Sequence, residues 1–405
     1  MEGKRLLRSI TLKNLLSYGS EGMTLDLEPL NVLIGPNAVG KSNLIEAISL
    51  LAATPRDLLR PFREGGGSAE WIWKGAARNS VASLEAILLL HEAGSLRYHL
   101  DFTIVRSRFE LVDEFVYNEA LPGFTSLHPL YKYNKGSSKI MTRNVVHDTG
   151  QSLHATLAGS FLADMTSVSP EQSILSQVRG ADVYPELTRL ASDFGRIAFF
   201  REWNLGRFAP SRLPQKTDLP EDFLLEDASN LGLVVNDLQH RPTTRRLLLE
   251  KFKIFYEVLE DISTKIQSGT VQIFFHERNL SNPVPATRLS DGTLHYLCLL
   301  VILCHPDPPP LICIEEPEIG LHPDVIPHVA DLLLEASKRT QLIVTTHSET
   351  LVSRLSEVPE SVVVCERDDR GTQLRRLEPE RLRVWLDKYM LGELWRMGEI
   401  GGNRW

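Results

Sequence analysis

Gly35-Pro36-Asn37-Ala38-Val39-Gly40-Lys41-Ser42 is the stretch that decides the fold. It fits the pattern Gly-x-x-x-x-Gly-Lys-Ser/Thr in full. The five residues before it, Leu30–Ile34, are a short run that predicts a buried strand. After it, Leu44, Ile45, Ile48 and Leu51 fall at helical spacing over Ser42 to Ala52. Strand, glycine loop and helix in that order place backbone N–H groups and a helix N-terminus where they can hold anionic phosphates. Lys41 is then expected to reach the β- and γ-phosphates, and the Ser42 hydroxyl to bind Mg²⁺. Gly35, Pro36, Asn37, Ala38, Val39, Gly40, Lys41, Ser42 and Asn43 are the expected ATP-binding residues.

Working outward, Leu6 to Leu12 and Met23 to Leu27 alternate as strands do. Val81 to Leu90, Leu96 to Val105 and Phe109 to Tyr117 predict an antiparallel meander beside the first strand–loop–helix unit. From 118 to 270, Gln151 to Ala163, Leu187 to Ala191 and Leu233 to Ile262 carry helical periodicity, interrupted at Leu121 to Gly123 and Ala209 to Pro214. The expectation is a largely helical insertion with no sustained heptad, hence no long coiled-coil arm. Alternating order returns after it: strands at Val271 to His276, Leu311 to Ile314 and Gln341 to Thr345, helices at Gly292 to Cys304 and Asp324 to Ser337. Short apolar strands separated by helices predict a parallel sheet covered on both faces. The division is therefore 1–117, 118–270, 271–370 and a tail, 371–405, with a short helix and a Gly-rich end.

The chain has 405 residues, 42% of them apolar and 24% charged, as in ordinary globular proteins. Its net charge of −8 excludes wholesale electrostatic wrapping of nucleic acid and leaves only a regional contact. Cys298, Cys304, Cys313 and Cys365 lie in apolar runs without metal-ligand spacing and read as core residues of a reducing compartment. The longest apolar run, Tyr296 to Cys304, is too short for a membrane span, and the N-terminus carries no signal-peptide pattern. The expected location is cytoplasmic, with no membrane contact.

Three further motifs carry chemistry. Leu311-Ile-Cys-Ile-Glu315-Glu316 is an apolar strand ending in two acids, one suited to Mg²⁺ (Glu315) and the next to deprotonating a water facing the γ-phosphate (Glu316). Arg288-Leu-Ser290-Asp-Gly292-Thr precedes an apolar helix. Ser290 suits its N-cap, and Gly292 permits close backbone approach to an anion, although an ordinary capped helix reads the same way. His347, just beyond the strand Gln341 to Val344, sits where a side chain reaches a ligand above a parallel sheet.

Phosphate loop, a spacer of about 250 residues, Leu-Ser-x-Gly, acid-tipped strand and strand–His come in the order that resembles the ATP-binding-cassette ATPases of the SMC, RecF and OLD (overcoming lysogenization defect) group. The resemblance covers 1–117 and 271–370. It implies an α/β P-loop NTPase fold, an ABC-type head of two lobes with a mixed sheet, here carrying the insertion. It places the signature residues on Ser290 and Gly292, the metal acid on Glu315, the catalytic base on Glu316 and the switch histidine on His347. It further implies an ATP-dependent homodimer in which Ser290 and Gly292 act on the partner copy's ATP. The chain departs from the pattern in two places: Glu315 stands where SMC-type heads have aspartate, and the signature reads LSDG. The Q-loop glutamine has two candidates, Gln172 and Gln177. The ending Leu391-Gly-Glu-Leu-Trp and Gly-Gly-Asn is similar to that of stand-alone bacterial relatives, some encoded beside a Toprim-like partner and assigned to phage defence.

Between Arg196 and Lys216, Arg196, Arg201, Arg207, Arg212 and Lys216 are interleaved with Phe199, Phe200, Trp203 and Phe208. Such a strip suits phosphates and stacked bases, and equally suits docking the insertion onto the core or supplying a cation near the nucleotide. Two readings of function follow: a DNA-associated ATPase of repair (double-strand break processing) or phage defence, and a nucleotide-gated scaffold that holds and releases a separately encoded effector. A membrane-transporter ATPase is disfavoured by the LSDG signature and the size of the insertion. An in-chain nuclease is not expected from the residues after His347.

Overall fold

Strands β1 (Leu30–Ile34), β2 (Ala198–Phe200), β3 (Leu311–Glu315), β4 (Gln341–Thr345), β5 (Val362–Asp368) and β6 (Gly371–Arg376) form the sheet that carries the site, in the spatial order β2-β3-β4-β1-β5-β6. The structure is a computed structural model that describes residues 2–77, 79–90, 94–118, 128–134, 137–142, 161–164, 169, 171–178 and 180–402. All neighbours in the sheet are parallel except the β5–β6 hairpin. Alternation within single strands builds both cores. Val32, Ile34, Ile312, Ile314, Leu342 and Val344 enter one, while Leu33, Leu311, Cys313, Ile343, Val363 and Cys365 enter the other. The second face is covered by helix α1 (Lys41–Ala53) through Leu44, Ile45, Ile48 and Leu51; the first is covered by α2 (Asp291–Leu303) and α3 (Ile326–Ser337). From Thr293 to Leu303 every residue of α2 is buried, which is why this helix is apolar all round.

The expected meander is present and longer than the sequence reading had it. Met23–Asp26, Leu7–Lys13, Ala82–Leu90, Gly94–Val105, Arg108–Asn118, His128–Asn134, Ser137–Thr142 and Phe161–Asp164 pair in that order as an antiparallel sheet. The last three strands belong to the stretch expected to be a largely helical insertion, and that expectation is corrected. Among its described residues, helices Pro185–Gly195, Leu231–Gln239 and Pro242–Phe255 alternate with strands. Of the expected helix Gln151 to Ala163, residues 151–160 lie outside the described residues, as does the break at Leu121 to Gly123, and the end of the helix reading falls in the strand Phe161–Asp164. The alternating burial of Tyr131 and Tyr133 about the exposed Lys132, with Ile140 paired to Tyr131, is packing that only the sheet creates.

Val271 to His276 is a strand, though not of the parallel sheet. Thr270–Glu277 pairs antiparallel with Leu259–Gln267 through a two-residue turn, Ser268-Gly269, both at positive φ (50° and 75°). A connection that short closes a hairpin, whereas a parallel neighbour needs a crossover of a dozen residues or more. The tail holds two short helices, Pro379–Leu386 and Leu391–Met397. All four cysteines are buried and unpaired. No helix among the described residues is long and apolar enough to cross a membrane.

Candidate nucleotide site

The carboxyl ends of β1, β3 and β4 converge on the start of α1. The loop between β1 and α1 is held in shape by neighbours that tolerate no side chain. A Cβ on Gly35 (φ 150°) would lie 2.4 Å from the Cys365 carbonyl oxygen, and one on Gly40 (φ 103°) 2.3 Å from Thr372 Oγ1 and 2.4 Å from Ser17 Oγ. The same residues grip the loop: Thr372 Oγ1 donates to the Val39 carbonyl at 2.7 Å, and the Tyr18 hydroxyl to the Gly40 carbonyl at 3.2 Å. Asn37 and Ala38 (φ 65°) form the exposed crest, with Pro36 half-buried beside them.

Lys41 is buried and donates from Nζ to the Gly35 and Pro36 carbonyls at 2.8 and 2.9 Å. Burial lowers its pKa, with Cys365, Glu316, Glu315 and Glu318 pulling the other way. Ser42 Oγ donates to Glu315 Oε2 at 2.6 Å, so the hydroxyl and carboxylate assigned to Mg²⁺ share one place. Burial raises the Glu315 carboxyl, against the Ser42 hydrogen bond and the Arg201 charge. Hydroxyl and carboxylate oxygens are the donors that Mg²⁺ accepts, alongside phosphate oxygens and water, so this pair fits that ion. Asn43, by contrast, turns its carboxamide to Ser17 Oγ at 2.7 Å.

Glu316 lies one residue past β3 at φ 45°, a left-handed conformation that a non-glycine residue adopts at a cost. Its N–H donates to the Thr345 carbonyl at 2.9 Å, which fixes the turn and aims the carboxylate toward His347. Glu316 Oε1 is 3.7 Å from His347 Nε2. Burial and the Lys41 charge lower the His347 pKa, so the ring is neutral at neutral pH. Glu318, not singled out from the sequence, accepts from Thr346 Oγ1 and from the His347 N–H, both at 2.7 Å, and so positions the histidine. Glu318 Oε2 and Thr345 Oγ1 are buried without a protein partner among the described residues. The signal for Glu318 was its spacing, two residues after the base in Glu316-Pro-Glu318.

Ser290 caps α2 as expected, with Oγ accepting from the Thr293 N–H at 3.1 Å. Gly292 is also required within the chain: its missing Cβ makes room for the Gly320 carbonyl oxygen, 2.7 Å from where the Cβ would stand. Neither residue hydrogen bonds to the phosphate loop among the described contacts. Asp291, the departure in LSDG, accepts from the Gly206 N–H at 2.9 Å and pairs with the Arg212 guanidinium, which also donates to the Leu289 carbonyl. The Gly206 N–H, and then Arg212, hold the Asp291 carboxyl below its usual range.

Arg212 therefore docks the insertion on the core. Arg201 does likewise, donating to Glu226 at 2.9 Å and Glu46 at 3.3 Å, and Trp203 Nε1 donates to the Glu315 carbonyl at 2.8 Å. Of the strip's five basic residues, these two are committed within the chain, which narrows the DNA reading of the strip. A cleft of about 810 Å³ opens beside Glu315, lined by Glu46, Arg56, Arg60, Arg201 and Glu226 among others. Both Q-loop candidates lie on one turn after the antiparallel sheet. Gln177 spends its carboxamide on the Gln172 and Ser173 carbonyls and on the Ser169 N–H, so among the described residues it does not meet Ser42 or Glu315.

This geometry agrees with what the chain is similar to. Residues 30–353 match the family described as "AAA domain, putative AbiEii toxin, Type IV TA system". The chain belongs to this AAA family. No curated protein matches it. Among solved structures, an SMC head bound to the C-terminal winged-helix domain of ScpA is similar at TM-score 0.54 and 13% identity over 93% of this chain and 99% of that one. An SMC head with an extended coiled coil, bound to the C-terminal domain of ScpA and derived from Pyrococcus furiosus, is similar at TM-score 0.53 and 13% identity over 95% and 99%. The AAA-family chain thus has the fold of an SMC head, as the motif order implied. What sequence reasoning missed in it is Glu318, which holds His347 in place, whereas Trp203 and Arg212 take the docking role that was one of the readings of the strip.

Proposed function

We propose that the protein binds and hydrolyses ATP, closes into a homodimer while ATP is bound, and serves as a switch in DNA repair or phage defence. The observation that carries this reading is the meeting of Lys41, Ser42, Glu315, Glu316 and His347 at the ends of β1, β3 and β4. On binding, Lys41 exchanges the Gly35 and Pro36 carbonyls for phosphate oxygens, and the loop N–H groups hold the rest of the triphosphate. Ser42 and Glu315 would hold Mg²⁺, which when bound neutralises charge on the β- and γ-phosphate oxygens. Glu316 takes the proton of the attacking water, and the neutral His347 ring donates to the γ-phosphate end of the site. Ser290 and Gly292 complete the partner copy's site at the N-terminus of α2, whose dipole favours the phosphate anion. Because γ-phosphate joins both copies, hydrolysis releases them.

The deciding experiment uses Glu316→Gln. The reading expects ATP-dependent dimers by sedimentation and turnover reduced at least a hundredfold; a variant that hydrolyses ATP normally, or stays monomeric with ATP, overturns it. For the DNA branch, ATP-stimulated binding that weakens with salt is expected, and no binding at about 50 mM salt removes that branch.

A second reading, the gated scaffold for a separately encoded effector such as a Toprim-like protein, is favoured by the internal commitment of Arg201 and Arg212. The bound ScpA domains of the two SMC heads also support a protein partner. Co-purification of an untagged neighbour with Glu316→Gln tests it.

A further inference from the structure

After the helix Leu391–Met397 the tail returns to the phosphate loop. A Cβ on Gly402 would lie 3.6 Å from Gly35 Cα and 3.0 Å from Val364 Cγ1, so Gly402 packs on both the first glycine of the loop and β5. Side chains take both of its backbone polar groups: its N–H donates to Glu366 Oε1 at 3.0 Å, and its carbonyl accepts from Trp395 Nε1 at 3.2 Å. Arg375 donates to the Ile400 carbonyl at 2.7 Å. Gly401 and Gly402 stand at φ 78° and 73°, and a Cβ on Gly401 would lie 2.5 Å from Glu366 Oε1. Consecutive glycines are thus what lets the backbone come this close to Gly35. Trp395 and Ile400 are buried, whereas Glu366 is exposed.

We infer that Ile400–Gly402 is a strap that keeps Gly35 in the conformation that receives phosphate, with Glu366 and Trp395 as its positioning residues. The inference rests on the ATP-binding reading proposed above, and it adds what holds the first residue of the loop. Gly35 is enclosed by the Cys365 carbonyl, 2.4 Å from where its Cβ would stand, by Val39 Cγ2 at 3.2 Å, and by Gly402. Its own carbonyl accepts from Lys41 Nζ at 2.8 Å. That bond is given up when Lys41 turns to phosphate, which leaves packing against Cys365 and Gly402 to hold Gly35 in the bound state. The strap therefore matters most with nucleotide present, and its loss is felt as affinity, because a loop ordered before binding costs less to bind than one ordered by it. β5 is the common support, since it supplies Cys365 to Gly35 and Glu366 to the strap.

The test uses Glu366→Ala, Glu366→Gln and Trp395→Phe, read by calorimetric ATP titration, steady-state kinetics and thermal melting. Glu366→Ala removes the acceptor of the Gly402 N–H, and Trp395→Phe removes the donor to its carbonyl while keeping a ring in place. Both are expected to weaken ATP binding and raise KM about tenfold, with kcat at saturating ATP unchanged. Glu366→Gln keeps an acceptor oxygen and should retain the parent's affinity. Melting of the nucleotide-free Glu366→Ala chain should stay close to the parent's, because the side chain is exposed and water can take its place. Equal losses of affinity in Gln and Ala assign the change to the missing charge and overturn the strap. Unchanged ATP affinity in both Glu366→Ala and Trp395→Phe overturns it as well, as does a lower melting temperature of Glu366→Ala with affinity intact. Failure of the unaltered chain to bind ATP overturns the ATP reading itself, and the strap with it.

Discussion

Ser42 Oγ lies 2.6 Å from Glu315 Oε2, although 273 residues separate them in the chain. The contact exists because β1 and β3 flank β4 in one parallel sheet, so the loop after β1 and the acid ending β3 come up at the same edge. Removing either partner should therefore abolish a metal response without abolishing nucleotide binding. Glu315→Gln and Ser42→Ala are expected to bind ATP with and without Mg²⁺ at similar affinity, and turnover should fall at least a hundredfold. Fluorescent-nucleotide titration with EDTA and a phosphate-release assay check this.

Lys41→Ala is expected to lose ATP binding to below detection by calorimetry. The ammonium is buried on two loop carbonyls, so its loss also removes their internal donor. Melting should shift down as well, because the buried Gly35 carbonyl is left without its donor.

Glu318→Gln is expected to act through His347. Both bonds, from Thr346 Oγ1 and the His347 N–H, go to Oε1, and a carboxamide oxygen there can still accept them, so the fold should survive and what is lost is the charge beside His347. Turnover is expected to drop about tenfold with ATP affinity unchanged, whereas His347→Ala should cost more. Steady-state kinetics on the pair separate positioning from chemistry.

Breaking the buried latch should destabilise the chain. Arg212→Ala leaves the Leu289 carbonyl and the Asp291 carboxylate without their cation, at a cost of about 2 kcal/mol in urea unfolding. Arg212→Lys is expected to recover only part of it, since a single ammonium cannot reach Gly206, Leu289 and Asp291 together.

Stability should fall with rising pH through one buried carboxyl. Glu114 is fully buried beneath the Ser173 turn, accepting from the Tyr98 hydroxyl at 2.8 Å, from Ser173 Oγ and from the Ile174 N–H at 3.0 Å. Burial pushes its pKa up from 4.5 to about 7. Between those values the native chain keeps a proton that the unfolded chain has released, so the contribution is full below pH 4.5 and lost as pH passes about 7. The change amounts to about 3 kcal/mol. Melting curves of Glu114→Gln, which needs no proton, should lack this slope.

The phosphate loop, the acids Glu315 and Glu316, the capping Ser290 and the strand–His order were legible because each is a local pattern with a local reason. So were β1, β3 and β4, whose apolar runs can only be buried strands. The strands at 128–142 and the hairpin ending at Glu277 were not legible as such, because a half-buried strand acquires its pattern from the neighbour it pairs with. The basic and aromatic strip illustrates the same limit. Its composition allows DNA contact, whereas Arg201 on Glu46 and Glu226, and Arg212 on Asp291, depend on residues far away in sequence.

The sequence by itself pointed to the proposed chemistry: the oxygens that would face a metal, the carboxylate that would take a proton and the lysine that would meet phosphate, since residue type and local turn geometry suffice to propose each. Only the tertiary structure decided how those groups are held. Gly292 makes way for the Gly320 carbonyl, Asp291 anchors Arg212, and Glu318 orients His347, because close approach and shared burial are properties of packing between segments.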